Sequence, residues 1–176
     1  MSLELKIKNT IRDVINFPSK GIVFKDITPV FKNIFLFNEI IDVFVAKYKN
    51  IKIDKIAGIE SRGFVFGMPL AVKMNIPFIL IRKRGKLPAE TVEANYSLEY
   101  GATTIEMHKD AVSKSENVLI VDDLLATGGT VNAAIELIEI LKGNVIAAVF
   151  VSELLFLKGR EKIKNKKIEI FSIVKY

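Results

Sequence analysis

Residues 117–132 read NVLIVDDLLATGGTVN, and their interpretation decides the fold. Val118, Leu119, Ile120 and Val121 form an unbroken apolar run. Such a run suits a strand buried on both faces, as in a parallel sheet. Two adjacent carboxylates, Asp122 and Asp123, stand at its C-terminal end. Ala126-Thr127-Gly128-Gly129-Thr130 and an amphipathic stretch follow. Strand, small-residue loop and helix start together make an anion cradle. Glycines let the backbone approach a ligand, and free N–H groups at the helix N-terminus point at it. The stretch lacks the lysine and the spacing of the GxxxxGKS/T nucleotide loop. A lone TGGT is more often an ordinary turn. The doubled carboxylate at the open end of a buried strand is what argues for a ligand site.

Working outward, the helix after the loop runs from Thr130 to Lys142. Val131, Ala134, Ile135, Ile138 and Leu141 form its inner stripe, and Gly143-Asn144 caps it. Lys55–Ile59, Ile76–Ile81, Val145–Val151 and Ile168–Val174 read as further strands. Helices are expected at Ser2–Val14, at Asn33–Tyr48 and at Phe64–Met74. The second carries Ile34, Phe37, Ile41, Phe44 and Val45 on one face. The third is apolar nearly all round and should be buried, with Gly63 and Gly67 allowing close approach. A flexible polar stretch, 87–95, precedes two short strands, Tyr96–Gly101 and Thr103–Met107. Alternating strands and helices specify an α/β fold with a central, mostly parallel sheet flanked by helices.

The chain of 176 residues suits one domain, 1–176, with a proper core. It is 50% hydrophobic against 26% charged, which excludes a disordered chain. There is no Cys, hence no disulfide and no thiolate nucleophile or metal site. The N-terminus carries charges throughout, without the apolar core of a signal peptide, and no run reaches the length of a membrane span. A cytoplasmic protein with no membrane partner is expected. The net charge of +6 favours anionic partners without choosing between nucleic acid and a small phosphorylated substrate.

Two basic features sit at strand ends. Arg62 begins a helix, where the dipole disfavours a cation, so an anionic partner is expected there. Its fork can bind two phosphate oxygens at once. Arg82-Lys83-Arg84-Gly85-Lys86 leaves the end of another strand, on the face where open α/β sheets bind ligands. His108 is the only histidine, and a loop or partner-subunit contact suits it better than catalysis.

VLIVDDLLATGGT resembles the phosphoribosyl-diphosphate (PRPP) motif of type I phosphoribosyltransferases, with acid pair, small residues and TGGT in order. GIESRGFVFG is similar to that family's pyrophosphate loop. FPSKGIVFKDITPVF resembles the base-covering hood of adenine phosphoribosyltransferases, and RKRGKLPAETVEANYSLEYG their mobile loop. The resemblance spans nearly the whole chain; Lys20 and Ser61 are small departures that touch no catalytic group. It implies a type I phosphoribosyltransferase fold, with a hood within residues 1–32 and a mobile loop with flanking strands over 82–107. It further implies that Asp122, Asp123, Ala126, Thr127, Gly128, Gly129, Thr130, Arg62, Lys86 and Tyr100 bind PRPP. Val23, Phe24 and Lys25 would bind adenine, Phe24 by stacking and its neighbours through their backbone. Glu99 would handle the proton, and Arg62 and Lys86 would assist diphosphate departure. Glu153 and Leu154 would approach the base.

The implied reaction converts adenine and PRPP to AMP and diphosphate, with Mg²⁺ held mainly by substrate oxygens and no protein metal cage. The anomeric carbon becomes oxocarbenium-like, so anionic Asp122 and Asp123 suit its stabilisation. A homodimer is the implied assembly. Two alternatives stay open: transfer to another base such as hypoxanthine or xanthine, and a nucleic-acid-binding regulator on the same fold. The adenine-like hood disfavours the first. The absence of a helix-turn-helix before residue 14, with Glu99 and the loop retained, disfavours the second.

Overall fold

The computed structural model describes residues 1–98, 101–163 and 167–176. Helix α1 (Leu3–Thr10) ends four residues before Val14, because Ile11 turns extended and is buried. Val14 therefore leaves the helical stripe expected for it. It joins β1 (Arg12–Ile15), which pairs antiparallel with β2 (Val23–Asp26), Val14 facing Phe24. Asn16 Oδ1 accepts the Gly21 N–H at 2.8 Å and closes the connecting turn. This ribbon is a separate two-stranded sheet.

A short helix, α2 (Thr28–Phe31), leads to α3 (Ile34–Tyr48), whose first turn is capped by Asn33 Oδ1 accepting from Leu36 N at 3.1 Å. Its buried side chains are Leu36, Ile40, Ile41, Phe44 and Tyr48, while Ile34 is 58% exposed. Of the expected face, Ile41 and Phe44 are buried and Phe37 and Val45 pack against the same core, so only Ile34 falls outside it. Residues at i, i+4 and i+8 from Leu36 point inward, and the capped first turn leaves Ile34 outside.

The main sheet alternates with helices: β3 (Lys55–Ile59), α4 (Arg62–Met74), β4 (Phe78–Lys83), β5 (Thr91–Leu98), β6 (Gly101–His108), β7 (Asn117–Leu125), α5 (Gly129–Ile140), β8 (Asn144–Glu153) and β9 (Glu169–Lys175). Its order is β5-β6-β4-β3-β7-β8-β9. β4, β3, β7, β8 and β9 run parallel, and β6 and β5 add an antiparallel edge. β5 begins at Thr91, so the extended hairpin takes in much of the stretch expected to be irregular. β3 has β4 on one side and β7 on the other, which makes a switch point beside its C-terminal end.

Strand β7 shows why the sheet is stable. Val118, Leu119, Ile120 and Val121 are all fully buried. Leu119 and Val121 belong to the core under α1, α3 and α4, with Phe44 and Phe66. Val118 and Ile120 belong to the opposite core, with Val131 and Ile135 of α5. A Cβ on Gly63 would lie 2.5 Å from the Val121 carbonyl, and one on Gly67 2.6 Å from the Phe78 ring. These glycines let α4 sit close to the sheet. The helix is not buried all round, however: Val65, Met68 and Val72 are 38%, 49% and 73% exposed.

α5 stops at Ile140, and Lys142, not glycine, takes the left-handed conformation (φ 64°). Gly143 still helps to cap the helix, its N–H donating to the Ile138 carbonyl at 3.0 Å, and it packs closely, since a Cβ there would meet Val112 Cγ1 at 2.6 Å.

Phe66 is fully buried and stacks on Phe37 at 5.3 Å between ring centroids, with Phe31 at 5.7 Å. Phe66→Ala is expected to lower unfolding free energy by about 3–5 kcal/mol in urea titration.

Candidate functional site

The ends of β3 and β7 open into one cleft of about 370 Å³, lined by Arg62, Lys83, Tyr96, Asp122, Asp123 and Thr130 among others. Two helices begin at its walls. α4 starts after Ser61 and α5 after Gly128, and neither start has a side-chain cap. The first N–H groups of a helix have no intrahelical acceptor and carry partial positive charge. Gly128 at φ 83° makes the turn that aims those of α5 toward the strand end. The cleft thus presents two anion-seeking helix starts with two acids between them.

Asp123 is 5% exposed, and its Oδ2 accepts from Arg62 Nε at 2.5 Å. The anionic partner expected for Arg62 is, in this structure, the chain's own carboxylate. Burial alone would lower the guanidinium pKa, but the charge and hydrogen bond of Asp123 outweigh it and raise the value. Asp122 Oδ1 accepts the N–H of Asp123 at 2.9 Å. Burial, followed by the adjacent Asp123 charge, pushes Asp122 well above the ordinary aspartate range. The pair is therefore unequal: one acid is neutralised by a cation, the other favours its proton.

Arg62, Asp122, Asp123, Ala126 and Thr130 share the cleft, with Thr127 and Gly128 in the turn between the last two and Gly129 opening α5. Lys86 is not among the lining residues; its backbone N–H donates to Glu106 Oε1 at 2.9 Å. Lys83 and Tyr96 are in the cleft and were not singled out from the sequence. Lys83 ends β4, a strand parallel to β3, so its place at the C-terminal face was a usable signal. Glu60 was also passed over. It accepts from Arg82 Nε at 3.1 Å and from the Lys83 N–H at 3.0 Å. Burial would raise its pKa, yet these bonds hold it below the usual glutamate value.

In the hood ribbon, Lys25 Nζ bonds Asp13 Oδ1 at 2.7 Å and lies 4.4 Å from the centre of the Tyr176 ring. Phe24 meets Phe17 edge-on at 5.2 Å, and Val23 is exposed. Glu153 is bound by Arg160, at 3.0 and 2.6 Å, and so is turned to the protein rather than to an open base site. His108 Nε2 accepts the Ala89 N–H at 3.4 Å, a loop contact as expected. Glu99 and Tyr100 lie outside the described residues.

Two open helix starts beside an acid pair make a cleft suited to an anionic ligand at the C-terminal ends of the strands. The phosphoribosyl transferase domain family matches residues 30–176, and the chain belongs to that family. It is 51% identical over 170 residues to an adenine phosphoribosyltransferase of Halothermothrix orenii, covering 97% of this chain and 99% of that one. The crystal structure of adenine phosphoribosyltransferase from Thermoanaerobacter pseudethanolicus superposes with a TM-score of 0.94 at 48% identity, over 99% of this chain and 100% of that one. The Saccharomyces cerevisiae enzyme, complexed with an imino-altritol bisphosphate and adenine, gives 0.91 at 43% identity, over 97% of this chain and 98% of that one.

Because folding raises the Asp122 pKa, the folded state holds a proton that the unfolded chain gives up as pH rises past about 3.8. The cost to stability grows through that window and persists at neutral pH. Asp122→Asn is thus expected to raise Tm at pH 7, with the gain shrinking toward pH 3, while turnover falls. Calorimetric scans across pH together with steady-state rates check both parts.

Proposed function

We propose that this protein is an adenine phosphoribosyltransferase, converting adenine and PRPP to AMP and diphosphate in purine salvage. The observation that carries the reading is the cleft itself, where two uncapped helix starts flank a carboxylate pair. PRPP has anionic groups at both ends and a hydroxylated ring between them, which matches that charge pattern.

The loop 126–130 receives the 5′-phosphate through backbone N–H groups. Asp122 and Asp123 hold the ribose hydroxyls, and the ion-paired Asp123 carboxylate supplies negative charge beside the anomeric carbon. As the bond from that carbon to diphosphate breaks, the bond to the adenine nitrogen forms and the ring becomes cationic. Interactions that strengthen only then raise the rate. With Nε committed to Asp123, Arg62 offers its Nη edge to the diphosphate, joined by Lys83 and by the side chain of Lys86 from the turn after β4. Tyr100 helps to close the site, and Glu99 positions or exchanges the purine proton.

The donor set suits Mg²⁺ held mainly by substrate oxygens. Asp122 and Asp123 adjoin, and Arg62 already neutralises one of them. When bound, Mg²⁺ supplies neutralising charge to the leaving diphosphate.

Adenine is read by the hood. Val23 and Lys25 are two residues apart on β2, so their backbone groups point to the same edge of the ribbon. The Lys25 side chain is engaged by Asp13 and Tyr176, which leaves base recognition to its main chain. Phe24 supplies the stacking ring.

A homodimer is supported by the exposed apolar stripe Val65, Met68 and Val72 on α4. No described helix is long and apolar enough to cross a membrane. A cytoplasmic location follows from the substrate, since a polyanion does not cross a bilayer unaided.

A product assay with PRPP and a panel of bases tests the assignment. AMP from adenine, with little IMP or GMP from the other bases, is expected. IMP or GMP without AMP would transfer the enzyme to another base. Retention of a nucleic-acid probe at physiological salt, weakening steeply as salt is raised, with no AMP formed, would favour a regulator. For the assembly, Val72→Glu is expected to shift sedimentation from dimer to monomer.

A further inference from the structure

The segment behind the 126–130 loop is built to unusual closeness. A Cβ on Gly159 would lie 2.1 Å from the Ala126 carbonyl oxygen and 3.0 Å from the Gly128 nitrogen. A Cβ on Gly128 would lie 2.5 Å from the Gly159 carbonyl oxygen. Both obstacles are backbone, which has no rotamer to retreat into. Two glycines therefore stand back to back, one in the loop and one in the segment that supports it.

The support is itself anchored. Arg160, next to Gly159, spans Glu153 with Nε at 3.0 Å and Nη2 at 2.6 Å, and donates from Nη1 to the Ile170 carbonyl at 2.6 Å. Glu153 ends β8 and is 2% exposed. Asn132 Nδ2, in the first turns of α5, donates to the Lys162 carbonyl at 3.0 Å. One ion pair thus ties β8, β9 and the segment 158–163 into a wall against the loop.

We propose that Gly159, fixed by the Glu153–Arg160 pair, is a positioning residue for the 5′-phosphate cradle. It touches no substrate and acts by setting where the N–H groups of residues 126–130 stand. This rests on reading that loop as the phosphate site.

The test compares Gly159→Ala with Gly143→Ala. Both add a Cβ into a contact that is too close, the second against Val112 at 2.6 Å and away from the cleft. Ribose 5-phosphate affinity by titration calorimetry, KM for PRPP, KM for adenine and Tm are measured for each. Gly159→Ala is expected to weaken ribose 5-phosphate and raise KM for PRPP by about tenfold or more, the worth of one charge-assisted hydrogen bond. KM for adenine should stay near that of the wild type. Gly143→Ala should lower Tm yet bind ribose 5-phosphate normally. Should Gly159→Ala fail to fold, Glu153→Gln, which frees Arg160 without changing shape, reads the same constants and should weaken ribose 5-phosphate selectively. Unchanged affinity in the variant that folds, or equal weakening in Gly143→Ala, overturns the inference alone. Failure of the wild type to bind ribose 5-phosphate overturns the cradle assignment and this inference with it.

Discussion

The contact between Arg62 Nε and Asp123 Oδ2 joins the two halves of the cleft. One partner starts the helix after β3, and the other lies near the C-terminal end of β7, the strand beside it. A carboxylate that is 5% exposed needs a cation or a proton, and an arginine at a helix start needs an anion. Each residue resolves the other's cost before any ligand arrives. The neighbouring Asp122 accepts the Asp123 N–H and feels the same guanidinium, but burial and the Asp123 charge outweigh both and raise its pKa. The site is built from one carboxylate held by a cation and one held by a backbone N–H, and the second is the more available to a substrate.

Ligand sites of this kind trade stability for chemistry. The sheet can bear that cost because β7 is buried on both faces, with its apolar residues divided between two cores. A shallow sheet with one wet face would not hold a buried acid pair at a strand end. The glycines of α4 serve the same purpose by letting the helix approach β7 closely, so that its first turn reaches the cleft.

Much of this was legible in the sequence, for physical reasons that differ by residue. Val118–Val121 announced a doubly buried strand because no polar residue interrupts them. Asp122, Asp123 and the TGGT turn stood out because acid and glycine are both unusual at such a place. Tyr96 was not legible, since its position depends on how the β5–β6 hairpin folds back along β4, whereas Lys83 lay within the basic run at the end of β4. Val14 was misassigned because its spacing fits a helix, while its pairing with Phe24 is a long-range fact. Glu153 carried no sign of its partner, because nothing in LLFLKGRE indicates that Arg160 returns to the end of β8. On α4, apolar composition did not distinguish a buried face from an exposed stripe.

Glu106 shows how the basic run after β4 is kept in order. It is 3% exposed, and its Oε1 accepts the N–H groups of Lys86 and Leu87, both at 2.9 Å. Burial alone would raise its pKa, but these backbone donors, with that of Gly85, bring it below the usual glutamate value. A turn whose amides converge in this way resembles the nests that proteins offer to phosphate. Here the protein fills its own nest. The turn's amides are consequently withdrawn from competition for substrate anions, leaving attraction there to side-chain charge. The conformational entropy of that turn is lost during folding, not at the moment of binding.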